Sequence, residues 1–388
     1  MKKLIYLANQ RLPTEKAYGI QIAKMCEAFA GAGVEVTLLI PSRDNSIRET
    51  IFDYYGVNKN FTVKKVSAPD FYFPGKLDRI TVAIKSVVSS AILCRHVRAH
   101  YPQSIIYSRD EWPVYFLSFF KNLVVFEAHK FSPSRKFFYR RFKKSIRKII
   151  TISPGVRDEF IAFGFLPEVI AVAQDGVDLE EFDIPENQTE YRRQAGLPED
   201  KKTVGYVGQL RTMGMEKGLA ELIEAGGIIH KSYPDLALVV VGGNPADIDY
   251  YCKYAVQHGL GDKDIIFVGQ KAHVHIPAYL KSFDILAMPF PYSKHYAHYM
   301  SPLKLFEYMA AKRPIIASDL PSIRAVVDDH DMLLVPPDDS DALAKGILKI
   351  LDNPEFAQAL ARSSFIKAKE YTWQKRAEKI MSFIKFRR

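Results

Sequence analysis

The sequence predicts an α/β protein of two doubly wound, Rossmann-like domains facing a central cleft. Short apolar runs rich in branched residues alternate with longer stretches of helical period, the pattern of parallel strands joined by helical crossovers. The alternation pauses in a polar stretch rich in turn residues, QDGVDLEEFDIPENQTEYRRQAGLPEDK, and restarts near residue 200. With 388 residues, 48% of them apolar, the chain is long enough for about two cores.

In the first half the strand-like runs are 4–8, 34–40, 104–107, 123–127 and 148–152. Between the first two, GIQIAKMCEAFA has helical spacing and ends at Gly31 and Gly33, which completes a βαβ unit. In the second half the runs are 203–207, 236–241, 265–268, 285–288 and 314–317. The expected division is 1–183, a hinge-like linker 184–199, and 200–371. A last helix, 372–388, has no strand after it and is expected to return to the first domain.

No apolar run reaches the roughly 18 residues of a membrane span; the longest are broken by Lys85 and Lys121. The start, MKKLIYLANQR, suits a buried strand better than a secretion signal. Cys26, Cys94 and Cys252 are widely spaced, without metal-ligand spacing, and read as core fillers in a reducing cytoplasm. The net charge of +10 calls for an anionic partner, which could be a nucleic acid, a membrane surface or a phosphorylated substrate.

Three strand ends in the second half carry glycine: Gly208, Gly243 and Gly269. Each lets backbone approach a ligand closely, and three together favour a shared cleft over three unrelated turns. After Gly208 the segment QLRTMGMEKG brings Lys217 to a helix start, where free N–H groups and a lysine would meet a phosphate. Leu219 occupies the hydroxyl position of a P-loop, which argues against a nucleoside triphosphatase. In MSPLKLFEYMAAKRPIIASD, Ser301 is expected to cap a helix, with Pro302 in its first turn. Lys304 would add charge at an anion there, and Glu307 would accept from paired hydroxyls. The bland alternative is a surface ion pair between those two, worth a few tenths of a kcal/mol.

The series GQL…EKG, VVVGGN, IIFVGQ, DILAMPF and SPLKLFEYMAAKRPIIASD resembles the retaining GT-B glycosyltransferases of family 4. ITISPGVRDEF and AVAQDGVDLEEFD resemble the end of that family's first domain and its linker. The resemblance implies a donor site of Gly19, Gly208, Gln209, Gly243, Gly269, Ser301, Pro302, Leu303, Lys304 and Glu307. It implies Lys217 on the donor diphosphate, His129 beside the transferred sugar, and Glu307 as the second acid of E-x7-E. Two departures stand out. The first acid of that pattern falls at Tyr299, and the usual arginine is Gln209, with Arg211 as substitute. The implied reaction is front-face transfer of a hexose from a UDP- or GDP-sugar, without a metal or other cofactor.

Residues 135–150, RKFFYRRFKKSIRKII, read as a basic amphipathic helix, with Arg140, Arg141, Lys143 and Lys144 on its charged face and Phe138, Phe142, Ile146 and Ile149 on the other. Such a helix lies on an anionic membrane or packs its apolar side into the core. With Phe71, Tyr72 and Phe73 exposed, it suggests a glycan or lipid-linked acceptor of bacterial envelope synthesis and a cytoplasmic protein at the inner membrane face. Nucleic acid is not expected as a partner, because no zinc spacing or RNA-binding signature accompanies the charge. The competing readings are a noncatalytic glycosyltransferase-like partner subunit and a nucleotide-sugar epimerase of the same fold.

Overall fold

The computed structural model describes residues 3–70, 78–146, 148–212 and 214–384. It divides the chain into two units: residues 1–175 with 373–388, and residues 176–372.

Unit 1 is a seven-stranded parallel sheet in the order β3-β2-β1-β4-β5-β6-β7. Its strands are β1 (Lys3–Leu7), β2 (Glu35–Pro41), β3 (Thr62–Val66), β4 (Ile105–Ser108), β5 (Leu123–Ala128), β6 (Lys148–Thr151) and β7 (Ile170–Val172). Its crossover helices are α1 (Ala17–Gly31), α2 (Ile51–Tyr55), α3 (Asp78–His100), α4 (Glu111–Leu117), α5 (Lys136–Ser145) and α6 (Pro154–Ala162). The central strands are almost wholly apolar because helices cover both faces of a parallel sheet. The strands that went unrecognised in the sequence include β3, TVKKV, and β7, both at the sheet's edges. Lysines at an edge block further pairing and also hide the strand's period.

Unit 2 has a six-stranded parallel sheet in the order β12-β11-β8-β13-β14-β15, and a small hairpin. The strands are β8 (Lys202–Val207), the hairpin pair β9 (Arg211–Thr212) and β10 (Met215–Glu216), β11 (Leu236–Val241), β12 (Ile265–Gly269), β13 (Ile285–Met288), β14 (Ile315–Ser318) and β15 (Leu333–Val335). The helices are α7 (Gln188–Ala195), α8 (Leu219–His230), α9 (Pro245–Gln257), α10 (Ile276–Ser282), α11 (Leu303–Ala310), α12 (Pro321–Arg324), α13 (Ser340–Asp352) and α14 (Pro354–Ala368). The last helix, α15 (Trp373–Ile384), belongs to unit 1 and packs on α1.

Five expectations are corrected. The division falls at Asp175 and Gly176, ahead of 183. The stretch 184–199 is not an open linker: it contains α7, packed on α10, and buried Arg192 pairs with Asp284 at 2.6 Å. A basic helix over 135–150 does not form, since α5 ends at Ser145 and Ile149 lies in β6. Helix α3 is, by length and composition, apolar enough to cross a membrane over Ile80–His100. In unit 1 its Leu93, Cys94 and Val97 are buried, and its Ser86 and Ser90 accept from Asn9. Cys26 and Cys94 are core residues as expected, whereas Cys252 is exposed. Phe71, Tyr72, Phe73 and Arg147 lie outside the described residues.

Candidate active site

In each unit the sheet order reverses beside one central strand, and ligands of such sheets bind at the carboxyl ends there. In unit 2 that strand is β8, between β11 and β13. Gly208 follows β8 and donates its N–H to Val241 O, and Gly242, after β11, donates to Gly269 O, so three strand ends form one backbone shelf. Gly242 has φ 118°, and a Cβ there would stand 2.2 Å from Gly208 O. Gly243 abuts Leu210, and a Cβ on it would stand 2.7 Å from Leu210 Cδ1. Gln209 is exposed, and its carbonyl accepts from Tyr206 Oη at 3.0 Å.

Two lysines converge at this shelf. Gly218, the cap residue of α8, has φ 85° and presses on β13's end, where a Cβ would fall 1.5 Å from Pro289 O; this contact fixes Lys217. Lys304, in the first turn of α11, lies under Gly208: a Cβ on Gly208 would be 3.3 Å from Lys304 Nζ. Lys304 Nζ is buried 3.9 Å from the Tyr206 ring centroid and 5.2 Å from that of Phe290, with no hydrogen-bond partner among the described residues. Burial pushes its pKa well below the ordinary lysine value; the charge on Lys217 adds to this, and Glu307 opposes it. Burial also lowers Lys217.

The surface ion pair that stood as the alternative for Lys304 and Glu307 does not form. Glu307 Oε1 instead meets His273 Nε2 at 3.1 Å, and His273 Nδ1 lies 3.8 Å from Glu181 Oε2. Pro302 is the N-cap of α11 and Ser301 stands outside it, one residue earlier than a cap should be; Leu303 is the first helical residue. Arg211 is held across the β9–β10 hairpin by Glu216 at 2.7 Å, and its guanidinium lies 4.3 Å from the Tyr250 ring centroid. Its charge is thus already matched within the hairpin.

In unit 1, His129 follows β5, and its side chain is 23% exposed. Its Nε2 is 2.5 Å from Glu127 Oε1. Glu127 is fully buried and also accepts from Gln21 Nε2 at 2.9 Å and from Tyr107 Oη, while Arg376 of α15 approaches Oε2 at 3.4 Å. Burial pushes Glu127 up, but Arg376, His129 and Arg109 outweigh it and hold the carboxyl well below the usual range. Burial, with Arg109, lowers His129 against the pull of Glu127 and Asp175. Gly19 lies in the first turn of α1 and not in the preceding loop; the Tyr55 hydroxyl takes the space of its missing Cβ while donating to and accepting from Thr14.

The sequence reading missed Gln21, Arg109, Glu127, Asp175, Arg376 and His273. Glu127 did leave a signal, as the lone charge in the otherwise apolar run LVVFEA. Arg376, Asp175 and Gln21 come from distant parts of the chain and left none.

The charged residues of α5 belong to unit 1. Arg140, Lys143 and Lys144 are exposed, and Arg141 donates to Ser118 O at 2.6 Å and stacks 4.0 Å over Phe119. The apolar side, Phe138 and Phe142, is buried against Trp112, Phe126 and Tyr139. A different aromatic surface remains in solvent: Phe119, Phe120 and Phe137 are about half exposed, and Tyr115 bridges Phe119 to Phe137.

Residues 19–181 match the family model Glycosyltransferase Family 4, and residues 187–365 match Glycosyl transferases group 1. The alpha-D-kanosaminyltransferase of Streptomyces kanamyceticus is 24% identical over 238 residues, 60% of this chain and 58% of that protein. The phosphatidyl-myo-inositol mannosyltransferase of Mycobacterium tuberculosis is 28% identical over 212 residues, 53% of this chain and 51% of that protein. The chain spans about half the length of these relatives. The crystal structure of Anabaena HepE in complex with UDP and glucose superposes with a TM-score of 0.74 at 17% identity, covering 98% of this chain and 99% of that one. At that identity the likeness is one of fold.

Proposed function

The chain belongs to the GT-B glycosyltransferases of family 4, group 1, and on that footing we propose that it moves a hexose-type sugar from a nucleotide diphosphate donor to a hydroxyl, with retention of configuration. One observation carries this reading: the buried amino group of Lys304, without a hydrogen-bonding partner among the described residues, beside Lys217 at three glycine strand ends. A buried unpaired charge costs several kcal/mol, and a diphosphate supplies the missing partner. Lys217, Lys304 and the free N–H groups at the start of α11 would stabilise the charge that develops on the leaving diphosphate, without a metal. Glu307, steadied by His273, would accept from the ribose hydroxyls. The reading is front-face transfer, in which the leaving phosphate oxygen takes the acceptor's proton.

The test is a thermal-shift and turnover panel of uridine, guanosine and adenosine diphosphate sugars. One donor should stabilise the protein and be consumed, and Lys217→Ala and Glu307→Ala should each weaken both effects. A folded protein that responds to none of them rejects the reading in favour of a noncatalytic partner.

For the acceptor we propose a lipid-linked or envelope glycan reached at the inner membrane face. The support is the half-exposed ring surface of Phe119, Phe120 and Phe137 with Arg141 over Phe119 and Arg98 over Phe120, an aromatic and cationic pairing suited to an anionic lipid surface. Sedimentation with vesicles rich in anionic phospholipid should pull down the protein, and Phe119→Ser with Phe137→Ser should release it. Equal sedimentation of that variant would reject this surface.

A further inference from the structure

We propose that Arg376 is a positioning residue for His129: acting through Glu127, it holds the imidazole as the neutral Nε2–H tautomer, so that Nδ1 meets a ligand as the acceptor for a sugar hydroxyl. The ligand part of this rests on the reading of His129 as the group beside the transferred sugar.

The proton inventory around Glu127 fixes the tautomer. Gln21 gives one amide hydrogen to Glu127 Oε1 and the other to Asp175 Oδ1, both at 2.9 Å, and its own oxygen accepts from Arg109. Both of its protons are committed, so its nitrogen, 3.4 Å from His129 Nε2, gives nothing to the imidazole. Glu127 Oε2 faces Tyr107 Oη and Arg376, both donors, so the carboxyl is ionised and only accepts. The proton on the 2.5 Å contact between Glu127 Oε1 and His129 Nε2 therefore belongs to the histidine. Nδ1 keeps its lone pair and bonds none of the described residues.

The charges explain why the ring stays neutral. Among the described residues, the groups facing this cluster are Arg109 after β4, Glu127 on β5, Asp175 after β7 and Arg376 on α15, with Gln21, Tyr6 and Tyr107 uncharged. Two cations balance two carboxylates when the imidazole carries no charge. Removing Arg376 leaves Glu127 and Asp175 against Arg109, and protonating His129 restores the balance. An imidazolium has two donors and no acceptor, so the same pocket would then favour a carboxylate or phosphate over a hydroxyl. Arg376 reaches this cluster on a helix that the chain supplies only after completing unit 2, and it is 2% exposed there.

The experiment is long-range 1H–15N correlation of the imidazoles in the full-length protein, with His129 assigned by its loss in His129→Asn. In the native chain at about pH 7, His129 should give the neutral Nε2–H pattern. In Arg376→Met it should become imidazolium, and Arg376→Lys should restore the native pattern. If Arg376→Met does not fold, Glu127→Gln serves instead: it removes the carboxylate, and the protonation midpoint of His129 should fall. An Nδ1–H pattern in the native protein, or a His129 spectrum unchanged in Arg376→Met or in Glu127→Gln, would overturn the proposal. These spectra report on the imidazole alone, so a silent donor panel would sink the functional reading without touching the tautomer.

Discussion

Lys304 concentrates the chemistry of unit 2 in one atom. The rings of Tyr206 and Phe290 return about 1–2 kcal/mol to its buried ammonium, less than the several kcal/mol that desolvation costs. Lys304→Met keeps the stem packed and deletes the charge. The free protein should gain about 1 kcal/mol, while stabilisation by the nucleotide is lost, a trade of stability against binding. Melting curves with and without UDP or GDP check both halves, and a variant that loses stability without the ligand contradicts the account. The same lysine sets a pH dependence. Its folded pKa is lower than its unfolded one, so between the two the unfolded chain binds more protons and stability rises with pH. A bound diphosphate reverses the bias by returning the proton. Nucleotide affinity should therefore fall as pH rises through that window, with net proton uptake on binding. Calorimetry in buffers of different ionisation heat measures the uptake, and proton release would show the sign to be wrong.

Among the elements, the glycines that bound strands and helices in unit 2 differ in what they tolerate. Gly218 has φ 85° with Pro289 O at 1.5 Å from an ideal Cβ, whereas Gly269 has φ 75° with nothing within 4 Å. Gly269→Ala should cost only the left-handed backbone term, about 1–2 kcal/mol. Gly218→Ala adds a clash with backbone that cannot yield, so it should cost at least about 3 kcal/mol and displace Lys217 as well. Denaturant melts of the pair separate the two, and equal costs would mean that β13's end moves freely. Both glycines could be read in the sequence as turn formers, but the approach of Pro289 to Gly218 could not. The same limit explains the other differences. The runs LALVVV and LVVFEA announced β11 and β5, because buried parallel strands have little choice of residue. RKFFYRRFKKSIRKII looked like one helix because its last apolar residues keep helical spacing by coincidence. The chain leaves α5 at Ile146 so that Ile149 and Ile150 can pair with β5. The α7 segment looked like a linker because the side chain it buries is Arg192, a charged residue whose partner, Asp284, is 92 positions away.

At the scale of the molecule, the chain leaves unit 1 after Asp175 and re-enters it at Trp373, and both the exit and the re-entry carry charge into the cluster around His129. Unit 1 is therefore incomplete until the last helix is made. Helix α15 buries Trp373, Ala377, Ile380, Met381 and Ile384 in addition to Arg376. Four of those side chains are large, and at roughly 1.5–3 kcal/mol each their burial is worth about 6–12 kcal/mol as an upper estimate. That is comparable to the whole stability of an ordinary domain, about 5–15 kcal/mol. Arg376 adds to the loss, since its removal takes one of two cations away from the buried carboxyl groups of Glu127 and Asp175. Truncation after Thr372 should therefore unfold unit 1 while the strands and helices of unit 2, all within 176–372, keep their own two cores. Hydrogen exchange read by mass spectrometry distinguishes the outcomes: β1, β4 and β5 should lose protection in the truncated chain, and β8, β11 and β13 should retain it. Protection kept throughout would mean that α15 is an accessory helix, and loss throughout would mean that unit 2 draws its stability from unit 1. The selective loss alone fits a unit whose candidate catalytic histidine depends on the last helix of the chain.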